Sequence, residues 1–311
     1  MTTGAAVFDR SGATSRIEHV GKDALDLLHR LSTNDMLSLK VRDARGTVLT
    51  SDRGRVLGVV NVVRVEEHRL LLLNAAPDPK AVIDWIDRFT FDEDAKLRDI
   101  TVDTAQIAVA GPKAGEVIRV LTGIEVPSDR CVVTDIAGVH ATVIGTDALG
   151  TQCYEWVVPV LARDDVVAAA TEAGAVLASA DVWQAVRIEH GVPAWGNELS
   201  EDVNPLEAGL RELVSFTKGC YVGQEVVARL DTYDKVQRRL VGLTAASALV
   251  KGDELSAEGR VAGKVTSAAY SPRLRESIGL GYVRRDIPDG TSLRTAHGPV
   301  KVVSPPFVRR H

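Results

Sequence analysis

The sequence is poor in cysteine, with three in 311 residues: Cys131, Cys153 and Cys220. The count is odd and no pair stands at C-x-x-C spacing, which argues against a disulfide framework and against a structural zinc site. A reducing compartment suits such a chain. No stretch approaches the roughly 20 consecutive apolar residues of a membrane-spanning helix. The amino terminus also lacks the three-part pattern of a signal peptide. A soluble, cytoplasmic protein is predicted. An excess of basic residues is missing too: 37 Lys and Arg face 42 Asp and Glu, for a net charge of -5. General nucleic-acid and membrane-surface binders need a net positive face, so direct binding to either is not expected. Gly54-Arg55-Val56 is not a dinucleotide fingerprint, and no Gly-rich phosphate loop occurs elsewhere. A nucleophile elbow is lacking. The seven histidines are scattered without H-x-x-x-H spacing, so no metal site is predicted.

What is present suggests two or three domains. Residues 22–31 read as a helix with Ala24, Leu27, Leu28 and Leu31 on one face. Asp52-Arg53-Gly54-Arg55 reads as a turn between strands at 47–50 and 56–65, with a further strand at 68–73. Helical spacing follows at 79–89, then a buried strand at 106–110 and a helix opening after Pro112. Strands near 132–135, 141–144 and 155–160 precede helices at 164–173 and 180–189, the second stopping at Gly191. This order suggests two ferredoxin-like α/β layers with mixed or antiparallel sheets. After Arg238 short apolar strands recur between Gly252-Asp253, Glu258-Gly259, Ser271-Pro272 and Pro288-Asp289-Gly290, the pattern of a small β-barrel. The expected division is 1–236 and 237–311.

Two stretches could carry chemistry. In Lys218-Gly219-Cys220-Tyr221, the cysteine precedes a predicted helix at 224–230. The positive end of a helix and a neighbouring lysine both favour the thiolate, the nucleophilic and metal-binding form. The plainer reading is a small buried residue beside a tight turn. In Trp183…Arg187-Ile188-Glu189, Trp183 and Arg187 are four apart on one helix face. A tryptophan can stack on a flat heteroaromatic ring, and a carboxylate can accept two N–H bonds from its edge. A pterin presents both surfaces; the plainer reading is a core tryptophan and a surface salt bridge. Cys131 and Cys153 have no such company and read as structural.

Read together, these segments resemble the GcvT/YgfZ superfamily, which includes the glycine-cleavage T-protein. The likeness runs through Gly21-Lys22-Asp23-Ala24, Leu31-Ser32-Thr33-Asn34-Asp35, Leu49-Thr50 with Gly54-Arg55, and Ala110-Gly111-Pro112-Lys113-Ala114. It continues in Arg187-Ile188-Glu189-His190-Gly191-Val192-Pro193, Gly196-Asn197-Glu198, Asn204-Pro205-Leu206-Glu207-Ala208-Gly209-Leu210, and Gly263-Lys264-Val265-Thr266-Ser267 with Tyr270-Ser271-Pro272. The resemblance implies an α+β, GcvT-like three-domain ring around a central folate pocket, two ferredoxin-like α/β domains being joined by a carboxy-terminal β-barrel. It also implies that Glu189 holds the pterin and Trp183 contacts the folate, with Arg187 beside them, the cofactor being tetrahydrofolate or a derivative.

Within the superfamily, Lys218-Gly219-Cys220-Tyr221-Val222-Gly223-Gln224-Glu225 resembles the signature of the folate-binding YgfZ branch. True aminomethyltransferases carry paired aspartates where this chain has Gly58-Val59, and no carboxylate follows until Glu66. That branch implies a folate-binding accessory protein serving iron–sulfur enzymes or cluster-assembly proteins, with an indirect link to tRNA modification. Cys220 would be the reactive thiol and Lys218 its tuner. A lone cysteine cannot hold a cluster, which takes about four thiolates. The alternative is a folate-dependent aminomethyl or one-carbon transferase using a different acid.

Overall fold

The computed structural model describes residues 3–146, 149–233 and 236–307. The chain divides into two compact units, Met1–Ala178 with Glu212–Gln224, and Ser179–Arg211 with Glu225–His311.

The first unit holds two sheets. Strand β1 (Ala5–Asp9) belongs to the second sheet, and the chain then builds the first from β2 (Ser15–Val20), β3 (Ala44–Thr50), β4 (Val56–Glu66), β5 (Arg69–Asn74) and β6 (Lys96–Asp99), in the order β3-β4-β5-β2-β6. Helices α1 (Ala24–Leu31) and α2 (Lys80–Arg88) cover one face. The stripe Ala24, Leu27, Leu28 and Leu31 is buried as its spacing predicts, against Val60, Val62, Leu70, Leu72, Val82 and Ile86. The opposite face is buried as well: Val63, Val65, Leu71 and Leu73 pack on Cys131, Ile144 and Val157 of the second sheet. A strand covered on both faces needs no alternation, which accounts for the unbroken Leu70-Leu71-Leu72-Leu73.

The second sheet adds β7 (Thr104–Ala110), β8 (Cys131–Ile136), β9 (Val139–Thr146), β10 (Cys153–Pro159) and β11 (Ala175–Leu177), in the order β11-β1-β7-β10-β9-β8. Only the β1–β11 pair is parallel among its recorded pairings. Helices α3 (Ala114–Thr122) and α4 (Arg163–Glu172) pack on Ile107, Val109, Tyr154 and Trp156. Helix α3 ends at Gly123, whose φ of 68° is the left-handed stop that glycine adopts without strain.

Strands β1, β2, β6 and β11 are additions to the sequence reading. In β2 the hydrophobic pattern is weak for a physical reason: Arg16 and His19 are buried. The Arg16 guanidinium donates to the carbonyls of Thr101 (2.6 Å), Ser11 (3.1 Å), Thr14 (3.1 Å) and Thr104 (3.2 Å), so its charge is solvated by backbone. His19 has no such compensation: both ring nitrogens are buried without a hydrogen-bond partner among the described residues. Burial lowers its pKa to about 4. A base depressed in the folded state binds its proton preferentially when unfolded, so its contribution is intact above the unfolded pKa near 6.5 and lost as pH falls toward 4. The loss amounts to about 3 kcal/mol between pH 7 and pH 4. His19→Leu is expected to abolish that part of the acid sensitivity and to raise stability at pH 7 by about 1 kcal/mol, since orphaned polar atoms leave the core. Urea unfolding at the two pH values checks both; an unchanged pH dependence in the variant would exclude His19 as its source.

The second unit contains α5 (Ala180–Glu189), most of α6 (Gln224–Thr232), and a closed barrel of β12 (Arg238–Ala245), β13 (Glu254–Ala257), β14 (Arg260–Ser271), β15 (Glu276–Arg284), β16 (Ser292–Thr295) and β17 (Gly298–Val303), ordered β12-β15-β14-β13-β16-β17. Val241, Leu243, Leu255, Val265, Leu293 and Val302 fill it. Helix α5 packs outside the barrel, Ile188 meeting Ile278 and Leu280. The unit division therefore differs from the 236/237 boundary read from sequence: α5 and the loop to Arg211 go with the barrel. Among the described residues no helix is long and apolar enough to cross a membrane.

Candidate functional site

The Lys218–Glu225 motif lies on a strap, residues 213–223, tied to the first unit. Thr33 Oγ1 donates to Leu213 O (2.6 Å), Ser215 N to Thr33 O (2.9 Å), Val222 N to Arg30 O (3.3 Å), and Thr50 Oγ1 to Val222 O (2.7 Å). Gly223 turns the chain into α6 at φ 86°, where a Cβ would stand 2.4 Å from Ser51 O; only glycine fits. Cys220 is exposed on this strap, whereas Cys131 and Cys153 are buried and unpaired. Burial pushes both of those thiols up. The strap makes one more turn before α6 begins at Gln224, so Cys220 is not a helix cap.

The sequence placed Lys218 as tuner of the thiol, but the structure gives its ammonium other work. Nζ donates to the carbonyls of His29, Ser32 (2.6 Å) and Asn34 (3.1 Å), and lies 5.0 Å from the Tyr221 ring centroid. Burial lowers its pKa to about 8, opposed by Asp35, so it remains an ammonium at pH 7.

Trp183, Arg187 and Glu189 all sit on α5 and are buried. Instead of a surface salt bridge, Arg187 makes a buried one. It donates to Glu198 Oε2 (3.0 Å), Val192 O (3.0 Å), Ser267 Oγ (2.5 Å) and Gln184 Oε1. Glu198 also accepts from Ala194 N (3.0 Å), Thr266 Oγ1 (2.6 Å) and Ser267 Oγ (2.6 Å). Glu189 accepts from Ser271 Oγ at 2.5 Å, and its own carbonyl accepts from Phe307 N. These polar groups join α5 to the barrel. A cleft of about 440 Å³ runs along α5, lined by Asp181, Gln184, Arg187, Lys251, Ser267 and Tyr270.

Sequence reasoning passed over Glu155, on the face of β10 opposite the helices. It is half-buried, accepts from Gln106 Nε2 (3.0 Å), and Gln106 Oε1 in turn accepts from Thr14 Oγ1 (2.9 Å). Desolvation raises its pKa, moderated by Arg10 and by the Gln106 bond. A carboxylate whose charged form is disfavoured in this way is a functional candidate. The available signal was a lone acid heading the otherwise apolar strand 155–160.

On β4, Gly58 pairs with Leu49 and Val59 with Val48. Gly58 faces α2: a Cβ there would stand 2.7 Å from Val82 Cγ2 and 3.6 Å from Asn74 Oδ1. The strand offers no carboxylate before Glu66.

Residues 1–218 match the GCVT N-terminal domain, and residues 238–309 match the glycine cleavage T-protein C-terminal barrel domain. An aminomethyltransferase of Moorella thermoacetica is 32% identical over 322 residues, covering 98% of this chain and 87% of that protein. One from Streptomyces coelicolor is 30% identical over 328 residues, covering 100% of this chain and 88% of that protein. A putative chloroplastic transferase of Arabidopsis thaliana is 29% identical over 286 residues, with 91% of this chain spanning 66% of the plant protein. The fold is that of the glycine cleavage system aminomethyltransferase T from Bartonella henselae, with a TM-score of 0.88 at 21% identity over 100% of this chain and 88% of that one. With both sheets, the closed barrel and the family's two domains accounted for along nearly the whole sequence, the chain belongs to the glycine cleavage T-protein (GcvT) family.

Proposed function

We propose that this protein binds a reduced folate and does not carry out aminomethyl transfer. The observation that carries the reading is β4: the position that resembles the paired aspartates holds a glycine pressed against Val82 and a valine, with no carboxylate on the strand before Glu66. Proton handling at a reacting amine needs an acid or base within hydrogen-bond reach, and neither residue is one.

The donor set fits a pterin. Its N3–H and 2-amino group would donate two parallel bonds to a carboxylate. Glu155, half-buried with Gln106 on one oxygen, is more accessible for that role than Glu189, which is buried with Ser271 bound. Within the second unit, α5 carries Trp183, and Arg187 keeps that helix fixed on the barrel. The finer reading, from the resemblance of Lys218–Glu225 to the YgfZ signature, is an accessory role for iron–sulfur enzymes in which the exposed Cys220 is the working thiol.

A second reading, a folate-dependent aminomethyl or one-carbon transferase, draws support from relatives named aminomethyltransferase at 29–32% identity along nearly the whole chain. Two measurements separate them. Calorimetric titration with tetrahydrofolate is expected to show binding by wild type and at least tenfold weaker binding by Glu155→Gln, since a carboxamide cannot accept both N–H bonds. No binding by wild type would remove the proposal. In a glycine-cleavage assay with the lipoyl carrier protein no methylene-tetrahydrofolate is expected; robust formation would establish the transferase. Cys220→Ala is expected to leave folate affinity intact and lower the activity of cluster-dependent enzymes in cells, and normal activity there would exclude the thiol role.

A further inference from the structure

Helix α1 ends without a glycine stop: its C-cap, Ser32, is extended at φ -128°, ψ 161°. The last carbonyls of a helix have no internal partners and carry the negative end of its dipole. Here the carbonyls of His29 and Ser32, with that of Asn34 just beyond, converge on Lys218 Nζ. An ammonium has three N–H donors, and three acceptors meet them. The Tyr221 ring covers the group from another side. Around it, Asp35 pairs with His29 Nδ1 at 3.2 Å, Arg45 donates to the Asp35 carbonyl, and Arg30 is held outward by Asp26 and Glu93. The strap's other ties fall on either side of Cys220, with Ser215 before Lys218 and Val222 after it.

We propose that Lys218 is a positioning residue, a C-cap supplied from distant sequence that clasps the strap to the end of α1 and thereby fixes where the Cys220 thiol is presented. Lys218 does not act on sulfur directly; it sets the backbone on which the thiol stands. The clasp stands apart from folate binding, and its test uses protein without folate.

The test is hydrogen exchange of the Ser215, Lys218 and Val222 amides in wild type and Lys218→Met, which keeps the stem and loses the donors. Protection of these amides is expected to fall at least tenfold in the variant, while amides of β4 and β5 are unchanged. Chemical rescue distinguishes the ammonium from mere packing. In a Cys220→Ser background, Lys218→Cys treated with 2-bromoethylamine regains an ammonium at lysine length, the other two cysteines being buried. Protection is expected to return. Unchanged protection in Lys218→Met, equal loss throughout the first unit, or failure of rescue would each overturn the clasp. Should the variants not fold, nitrogen-15 NMR of wild type decides. A lysine ammonium protected from solvent exchange is expected, and its absence would overturn the proposal.

Discussion

Glu198→Ala is expected to lower the unfolding free energy by about 3–5 kcal/mol, the cost of leaving a buried charge without its partner. Both side chains of the Arg187–Glu198 pair are nearly inaccessible, at 3% and 0% exposure. The Glu198 carboxylate collects four hydrogen bonds, from Arg187, Ala194, Thr266 and Ser267. Removing it leaves the buried guanidinium without a counter-charge between α5 and the barrel, with only neutral acceptors at Val192, Gln184 and Ser267. The double variant Arg187→Met/Glu198→Leu is expected to cost much less than the sum of the singles, because no charge is then left unpaired. Denaturant unfolding of the four proteins gives the coupling directly. A single-variant loss below about 1 kcal/mol would place this pair with exposed ion pairs. Arg187 thereby holds α5, the helix that carries Trp183, on the barrel.

Restoring a carboxylate on β4 by Gly58→Asp is expected to destabilise the protein by about 3 kcal/mol or more, combining overpacking with burial of an unpaired charge. Gly58 lies on the face that carries Val60 and Val62 beneath α2. Its Cβ alone would approach Val82 Cγ2 to 2.7 Å, and the nearest polar atom, Asn74 Oδ1, is an acceptor that repels a carboxylate. Gly58→Ala separates the two contributions, since it brings the volume without the charge. Val59→Asp is the control: Val59 is half-buried on the other face, and a cost within about 1 kcal/mol is expected there. Thermal unfolding ranks the three. A Gly58→Asp protein as stable as wild type would mean that the core under α2 accepts an acid, weakening the argument against aminomethyl transfer.

Much of the architecture was legible in the sequence because it is written in short-range pattern. The spacing Ala24, Leu27, Leu28, Leu31 marks the buried face of α1, and helix 180–189 coincides with α5. Short apolar strands recurring between turns after Arg238 announce the barrel. Strand β2 escaped because its buried positions include Ser15, Arg16 and His19, which break the expected alternation. Glu155 escaped for a related reason: a lone acid in an apolar strand looks like a strand end until the sheet shows which face it occupies.

The Lys218–Glu225 motif shows where local reading stops. Sequence places Lys218 two residues from Cys220 and suggests that one acts on the other, but a lysine stem reaches well beyond its sequence neighbours. Its acceptors lie more than 180 residues earlier, at the end of α1. Arg187 and Glu189 likewise look available for a ligand until Glu198, Ser267 and Ser271 are brought to them by folding. By itself the sequence determined the family resemblance, the succession of elements, and the absence of a carboxylate at Gly58-Val59, all properties of residue identity and order. Tertiary structure alone decided that α5 belongs with the barrel, that Gly58 faces a filled core, and that Lys218 caps a helix. Each of these depends on side-chain direction and on partners distant in sequence, which periodicity does not encode.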